Sequence, residues 1–332
     1  MIQRSIAGML LFIVLMFSAA CTTATPTSVP TNTPTITPTA TRLPPSETPV
    51  PTTPAPPTAQ PIDTPTPTNT PTGSTFSHVY VIVMENKGYD NIVGNAAAPY
   101  INSLIADYGL ATHYNGVAHP SQPNYLALFS GSTQGIADDA HHDFSGQNLA
   151  DQLEAQGLAW KVFAQNVPPD CFTGATATDG EDGTGTYARK HEPAISFTDI
   201  SSQPDRCANI TDFTHFDPAA ADFEFIAPNL CNDMHDCSVA TGDAFLRDFV
   251  PQILNSPAWQ QGGVLFITWD EGEGVLSPNH VPTLVISKAV PKGFQSDVAH
   301  DHYSLLRTIE DAWNLDCLNQ ACSANNLNEF FP

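Results

Sequence analysis

A long stretch built almost entirely of threonine and proline limits where this chain can fold. Residues 22–75 repeat the pattern T-P-T-N-T-P-T with variations and contain almost no large apolar side chains. Such a segment cannot bury a hydrophobic core, and its prolines favour an extended polyproline form. We therefore expect residues 22–75 to be a disordered stalk and residues 76–332 to form one large folded domain.

Residues 1–21 have the features of an export signal. Arg4 precedes an apolar run at residues 6–17, and small residues at 18–20 lead to Cys21. This order is typical of a secretory signal peptide, and the apolar run is too short to span a bilayer comfortably. Cys21 resembles the lipidated cysteine of bacterial lipoproteins, although those signals prefer leucine at the position of Ser18. We expect an extracellular or cell-surface protein that contacts the membrane only through a lipid anchor at Cys21; an ordinary cleaved signal is the alternative.

The charge of the folded part excludes one class of partner. Arg4 and Arg42 balance Glu47 and Asp63, so residues 76–332 carry the whole formal net charge of −23. A surface with this excess of acid repels polyanions. We therefore expect no nucleic-acid partner.

The cysteines after Cys21 are even in number, which in an exported chain predicts disulfide bonds. We favour pairing between the close neighbours Cys231 and Cys237 and between Cys317 and Cys322, which leaves Cys171 with Cys207. The sequence alone leaves other pairings open. Zinc binding is the competing interpretation, but no C-x-x-C spacing supports it.

The distribution of apolar residues predicts an α/β fold. Residues 79–83 form a continuous β-branched run that is typical of a buried parallel strand, and a rhythm of helix, glycine and strand follows it. Residues 167–236, rich in Gly, Pro, Asp and Thr, are expected to be long loops stapled by disulfides. The further predicted strands are 112–117, 159–164, 264–269 and 282–287, and the predicted helices are 99–108, 148–156, 242–254 and 303–313.

The segment His119-Pro120-Ser121-Gln122-Pro123-Asn124-Tyr125 predicts a serine at the N-terminus of a short helix. Proline holds the residue before it in an extended conformation and is well suited to open a helix. The apolar residues that follow have helical spacing, and Gly131 is a natural end. Free backbone N–H groups at such a terminus favour an anion. The alternative is that Ser121 is only an N-cap.

Acidic residues follow two of the predicted strands. Glu85 and Asn86 come after the first strand, and Asp270 and Glu271 follow residues 264–269. Ligands of open α/β sheets bind beyond the carboxyl ends of the strands. Two acidic strand ends side by side would form an oxygen-rich pocket that only a cation could neutralise. The alternative for each acid alone is a solvated turn residue.

Histidines recur beside aspartates in the same chain, as in Asp233-Met234-His235-Asp236 and His300-Asp301-His302. A lone histidine is more often a satisfied surface or core group. A histidine beside a carboxylate is the usual arrangement of metal-ligating and acid–base histidines.

Six segments in this order resemble one family. They are V-M-E-N-K-G-Y-D at 83–90, H-P-S-Q-P-N-Y at 119–125, Y-A-R-K-H-E-P at 187–193, N-L-C-N-D-M-H-D-C at 229–237, W-D-E-G-E-G at 269–274 and H-Y-S-L-L-R-T-I-E at 302–310. The family is the bacterial phosphoesterases that include acid phosphatases and phospholipases C, a branch of the alkaline-phosphatase-like superfamily. The resemblance implies a three-layer α/β fold with a mostly parallel central sheet flanked by helices.

The resemblance also implies roles for individual residues. The implied ligands of a divalent metal cation are Glu85, Asn86, Ser121, Asp270 and Glu271, with Ser121 also the nucleophile. The implied catalytic histidines, which serve the phosphate and the leaving group, are His191, His235 and His302. The implied substrate-binding residues are Lys190 and Asn124.

Two positions depart from the family pattern. The family often has asparagine where this chain has Glu192, and aspartate where it has Glu271. The first places an extra acid near the site, and the second changes a carboxylate that the resemblance assigns to the metal. The additional carboxy-terminal domains of larger phospholipases C are not found after residue 315, which favours an acid phosphatase.

The expected function is hydrolysis of a phosphomonoester, either of a small molecule or of a lipid head group, by a metal-activated serine. Phospholipase C-type phosphodiester hydrolysis and a non-enzymatic, stalk-borne binding module are the alternatives. A serine esterase would need a G-x-S-x-G motif, which is absent from the sequence. A sulfatase would, by superfamily resemblance, have an arginine after its x-P-S motif, where this chain has Gln122-Pro123-Asn124.

Overall fold

A computed structural model describes residues 76–178, 185–274 and 279–332. The predicted signal peptide at 1–21, with its candidate lipidation site Cys21, and the predicted stalk at 22–75 lie outside the described residues. Within the described part, no helix is both long and apolar enough to cross a lipid bilayer.

The described strands are mostly short, and the longest two are wholly buried. In chain order they are β1 (Val79–Met84), β2 (Gly109–Ala111), β3 (Tyr114–Asn115), β4 (Trp160–Ala164), β5 (Thr176–Ala177), β6 (Tyr187–Ala188), β7 (Ile210–Thr211), β8 (Phe223–Ala227), β9 (Val264–Trp269), β10 (Thr283–Ile286), β11 (Phe294–Ser296) and β12 (His300–Asp301).

Eight of these strands form the central sheet in the order β11-β2-β10-β9-β1-β8-β4-β7. Neighbouring strands are parallel except where β10 pairs with β9 and with β2. Every residue of β1, β8 and β9 is buried, as expected of a parallel sheet covered on both faces. The predicted mostly parallel α/β sheet is confirmed.

The helices flank this sheet. They are α1 (Tyr89–Ile92), α2 (Pro99–Asp107), α3 (Ser121–Ser130), α4 (Leu149–Ala155), α5 (Thr198–Ser201), α6 (Pro204–Cys207), α7 (Val239–Leu254), α8 (Pro257–Gln260) and α9 (His302–Ala312). Helix α2 packs against α7, and α3 packs against α9. All ten residues of α3 are buried, so the helix that begins at the predicted serine lies inside the core.

Two predicted elements differ from the structure. The expected long loop at 167–236 contains β8, a central strand between β1 and β4. Its run F-E-F-I-A is short and Glu224 interrupts it, so it lacks the continuous apolar pattern of β1. The strand predicted at 112–117 is also wrong in its bounds. The chain instead forms β2 in the central sheet and β3, which pairs with β12 in a separate small sheet.

Three disulfide bonds are present in the described residues. They join Cys171 to Cys207, Cys231 to Cys237 and Cys317 to Cys322, as the favoured pairing predicts. The Cys231–Cys237 bond closes the loop that follows β8.

Glu224 is a buried acid within the sheet. Its Oε1 accepts a long hydrogen bond, 3.4 Å, from the N–H of Ala221, and its Oε2 has no hydrogen-bond partner among the described residues. Burial raises the pKa of this carboxyl to about 8. A carboxyl with a raised pKa binds its proton more tightly in the folded state than in the unfolded chain. Its contribution to stability is therefore present at acid pH and is lost as the pH rises from about 4.5 towards 8.

We predict that Glu224→Gln reduces this loss of stability, because glutamine does not ionise. Between about pH 5 and pH 8 the free energy of unfolding of the variant should fall by on the order of 1–3 kcal/mol less than that of the wild type. Urea denaturation at the two pH values measures the difference. Asp205→Asn, which removes an exposed acid on α6, is the control and should follow the wild type. Equal losses in wild type and Glu224→Gln would contradict the prediction.

Candidate active site

The structure brings the two acidic strand ends together. Strands β1 and β9 are parallel neighbours in which Met84 lies beside Trp269, so the next residues leave the same edge of the sheet. The N–H of Asp270 donates to the carbonyl of Met84 at 2.9 Å. The N–H of Asn86 donates to Oδ1 of Asp270 at 3.0 Å. Glu85 and Asp270 are both fully buried.

Ser121 is the first residue of α3 and points at this acidic edge. Its Oγ donates to Oε2 of Glu85 at 3.1 Å. Oε2 of Glu85 also accepts a hydrogen bond from the side-chain amide of Asn86 at 3.2 Å. Pro120 occupies the N-cap position, so the alternative in which Ser121 is only an N-cap is wrong. Gly131, in a left-handed conformation with φ 66°, ends the helix as predicted.

His191 lies against Oε1, the second carboxyl oxygen of Glu85. Its Nε2 is 3.1 Å from Oε1 of Glu85, and its Nδ1 is 3.2 Å from Oδ2 of Asp233. Neither contact has the alignment of a hydrogen bond. The imidazole stacks on the ring of Tyr125, with centroids 5.2 Å apart. Burial, followed by the charges of Lys190 and His235, lowers the pKa of His191 well below its usual value.

Asp233 belongs to the site although it was absent from the predicted site residues. Its Oδ1 accepts a hydrogen bond from the N–H of His235 at 2.7 Å, and its carbonyl accepts one from the N–H of Glu85 at 2.8 Å. It lies in the loop closed by Cys231 and Cys237. Asp233 could have been found from the segment N-L-C-N-D-M-H-D-C, because it stands two residues before the predicted site residue His235.

Three buried carboxyl groups therefore share one edge of the sheet. Burial, then the neighbouring charges of Asp270 and Asp233, raises the pKa of Glu85 well above its usual value. Burial and then Glu271 raise the pKa of Asp270 to about 7. Burial, with the charges of Asp270 and Asp236, raises that of Asp233 well above its usual value.

This donor set fits a divalent cation. Oε1 of Glu85, Oδ2 of Asp233 and Oδ2 of Asp270 are buried and have no hydrogen-bond partner among the described residues. Unpaired carboxylate oxygens are costly in a dry environment, and hard divalent cations prefer oxygen ligands of this type. A cation held by Glu85 and Asp270 would relieve part of this cost and the repulsion between the two carboxylates.

Lys190 and His235 face the same region from its more exposed side. The ammonium group of Lys190 is 2.9 Å from Oδ2 of Asp139 and 3.4 Å from Nε2 of His235. Burial alone would lower the pKa of Lys190, but Asp139, Glu85 and Asp270 outweigh it and raise the pKa. His235 is 27% exposed, and its Nδ1 is 2.7 Å from Oδ1 of Asp236.

Glu192 and Glu271, the two residues that depart from the family pattern, both contact protein groups. The Glu192 carboxylate accepts hydrogen bonds from the N–H groups of Ala194 and Ile195 at 2.8 and 2.9 Å, so it caps a short turn. Oε2 of Glu271 is 2.5 Å from Nδ1 of His119. The structure thus shows Glu271 in contact with the imidazole of His119. The metal-binding role of Glu271 stays a prediction.

His302, the first residue of α9, holds the backbone of the site. Its Nε2 donates to the carbonyl oxygen of Asp270 at 2.6 Å. Its Nδ1 is then the acceptor for the hydroxyl of Tyr114 at 3.1 Å. Burial lowers the pKa of His302 to about 4, so the ring is neutral at ordinary pH.

The side chain of Asn124 forms hydrogen bonds to the backbone segment that leads into α3. Its Oδ1 accepts hydrogen bonds from the N–H groups of Val117 and Ala118 at 2.8 and 3.0 Å. Its Nδ2 donates to the carbonyls of Ala118 and Pro120 at 2.9 and 3.2 Å. These contacts position Ser121, and the substrate contact predicted for Asn124 stays a prediction.

The model of the Phosphoesterase family matches residues 95–316. The match covers more than half of the chain, and the chain therefore belongs to the Phosphoesterase family.

Two relatives bear names of phosphoric ester hydrolases. The phosphatidylinositol-3-phosphatase of Mycobacterium tuberculosis is 34% identical, over 75% of this chain and 81% of that protein. The probable acid phosphatase of Kluyveromyces lactis is 29% identical over 75% of this chain, which spans 61% of that relative's length. These names agree with the enzyme class predicted from the sequence.

The fold has solved counterparts. A protein of the alkaline phosphatase superfamily from Vibrio parahaemolyticus superimposes with a TM-score of 0.52 at 11% identity, covering 76% of this chain and 71% of that one. At this identity the similarity concerns the fold, and it confirms the predicted alkaline-phosphatase-like architecture.

We predict that Asn124→Ala destabilises the protein, because four hydrogen bonds to the backbone are lost. The free energy of unfolding should fall by about 2–4 kcal/mol, measured by urea denaturation. Gln203→Ala removes an exposed amide and should change it little. Unchanged stability together with a raised KM for an aryl phosphate would instead identify Asn124 as a substrate-binding residue.

Proposed function

We propose that this protein is a metal-dependent phosphoesterase, of the acid phosphatase type, that hydrolyses phosphomonoesters through Ser121. The observation that carries the proposal is the hydrogen bond from the buried Ser121 hydroxyl to Glu85 at the N-terminus of α3. A hydroxyl in this place has an acceptor for its proton and lies where helix N–H groups and the helix dipole favour a phosphate.

The proposed metal site lies among the side-chain oxygens beyond the ends of β1 and β9. The residues that would hold a divalent cation are Glu85, Asn86, Ser121 and Asp270, with Glu271 as a further candidate. When bound, such a cation lowers the pKa of the serine hydroxyl and withdraws charge from the phosphoryl oxygens.

The chain's own residues account for the remaining steps. Ser121 Oγ attacks phosphorus as its proton passes to Oε2 of Glu85. The bond between serine oxygen and phosphorus forms while the bond from phosphorus to the alcohol oxygen breaks, and the alcohol leaves with a proton from solvent. Water then attacks the phosphoserine and loses a proton to solvent. The bond between serine oxygen and phosphorus breaks as phosphate is released, and Oε2 of Glu85 returns its proton to Ser121 Oγ.

Other residues support these steps. Lys190 offsets phosphate charge from the exposed side, and His191 and His235 contact the phosphate. His302 holds Asp270 in place through a hydrogen bond to the Asp270 carbonyl. The substrate is the phosphate ester of a small molecule or of a lipid head group, in keeping with the names of the two relatives.

We further propose that the protein is exported and held at the cell surface through Cys21. The three disulfide bonds support this, because disulfides persist in oxidising compartments outside the cytosol.

Ser121→Ala should abolish hydrolysis of an aryl phosphate while the protein stays folded. Loss of a covalent nucleophile costs on the order of a thousandfold or more in kcat. Ser130→Ala, which removes the buried hydroxyl at the far end of the same helix, is the matched control and should keep most of the activity. If Ser121→Ala retains more than about a tenth of wild-type turnover, Ser121 is not the nucleophile.

Asp270→Asn should weaken metal binding as well as activity, because the charge that holds the cation is reduced. Metal content after dialysis, measured together with turnover before and after a chelator, tests this expectation. Full metal content with full activity would show that Asp270 is not a ligand. In the same assays, a preference for a bis-aryl phosphodiester over the monoester would favour the phospholipase C alternative.

A further inference from the structure

A cleft of about 150 Å³ opens beside the buried Ser121. Its floor includes Gln122, the residue after Ser121 on α3, which is 2% exposed, and its rim includes the exposed Ala140 and Ala175. Ser121 is itself 1% exposed, so a substrate must reach it through an opening in the surface. The cleft leads from solvent to the residue next to the proposed nucleophile.

The walls of the cleft are fixed by contacts within the protein. Oδ1 of Asp139 accepts a hydrogen bond from the N–H of Gln122 at 2.9 Å, and Oδ2 of Asp139 is 2.9 Å from the ammonium of Lys190. The N–H of Arg189 donates to the carbonyl of Ala175 at 2.9 Å. Walls that are held in this way select a ligand by its size.

The charged groups that line the cleft are paired with one another or with Asp143. Lys190 pairs with Asp139. An Nη2 atom of Arg189 is 3.0 Å from Oδ1 of Asp143, and Nε2 of His141 is 3.2 Å from the same oxygen. Apart from Gln122 and Thr176, the other lining side chains are apolar, and they are Ala140, Ala175, Ala188 and Leu230. Such walls suit an uncharged group, and the net charge of −23 disfavours a ligand with additional anionic groups.

The volume of the cleft limits what can occupy it. A cavity of about 150 Å³ in an engineered protein binds benzene, so this cleft has room for one six-membered ring. Two fused rings, or the two acyl chains of a lipid, exceed this space. The size therefore favours a small alcohol over a lipid.

We propose that this cleft, called the alcohol cleft below, binds the alcohol part of the substrate, and that the substrate is the phosphomonoester of an uncharged, single-ring alcohol such as a phenol. In phosphoryl transfer the attacking and leaving oxygens lie roughly in line, so the alcohol needs a space of its own beyond the phosphate. Lys190 lines the alcohol cleft and also faces the proposed phosphate site. Ala175 and Leu230 set the size of the ring. The inference deepens the proposed function and rests on it for the position of the phosphate.

The test compares the binding of two phosphonates to the purified full chain by titration calorimetry. In benzylphosphonate a CH₂ group replaces the ester oxygen of phenyl phosphate, and ethylphosphonate has the same linkage without the ring. Benzylphosphonate should bind about tenfold more tightly, because the ring is removed from water in the alcohol cleft.

Two substitutions in the alcohol cleft should change this selectivity in different ways. Ala175→Trp narrows the rim and should reduce the preference for benzylphosphonate to about twofold or less. Leu230→Ala widens the cleft and should improve the binding of naphthylmethylphosphonate relative to benzylphosphonate by about threefold or more. Ala219→Trp and Leu158→Ala, at an exposed alanine and a half-buried leucine outside the cleft, are the matched controls and should keep the wild-type selectivity. Inorganic phosphate, which carries no alcohol, should bind the wild type and every variant equally.

Equal binding of the two phosphonates by the wild type overturns the inference, and so does a ring preference that neither Ala175→Trp nor Leu230→Ala alters. A change of selectivity in either variant, with unchanged binding of inorganic phosphate, supports it. Because the two substitutions act on different walls, failure of one variant to fold leaves the other to decide.

The two proposals fail separately. Ser121-dependent hydrolysis of phenyl phosphate without a ring preference in binding would reject the alcohol cleft and leave the phosphatase. A ring preference that the two variants alter, without hydrolysis of any phosphate ester, would reject the phosphatase and leave the alcohol cleft.

Discussion

The site depends on the burial of like charges at one edge of the sheet. Glu85, Asp233 and Asp270 lie within the same dry region, and each holds its proton more tightly than a free carboxyl because of burial and of its neighbours. Repulsion of this kind opposes folding unless protons or cations neutralise it. The same oxygens are therefore a liability in the metal-free protein, and the proposed cation would reduce it.

The parallel arrangement of three central strands creates this concentration of acid. Strands β8, β1 and β9 are neighbours and run in one direction, so the residues after them leave at the same edge. Neighbouring side chains then hold the backbone of the site in place. Asn124 fixes the approach to α3, and His302 fixes the carbonyl of Asp270.

Much of this could be predicted from the sequence, for identifiable reasons. Strands β1 and β9 are continuous apolar runs that end in acids, so both the strands and the pairing of Glu85 with Asp270 follow from pattern. Strand β8 could not be found in the same way, since Glu224 lies inside it and only the surrounding core shows that it is buried. The contact of Asp233 with His191 and that of Glu271 with His119 depend on loops that meet across the fold, and local spacing does not encode these contacts.

The complete burial of α3 has a consequence for how variation acts on this protein. The proposed nucleophile lies on a helix with no solvent-facing side, and core residues such as Leu126 and Phe129 are buried on the same helix. One helix therefore both fills the core and carries the proposed nucleophile, so a selection for altered activity will also be a selection on core packing.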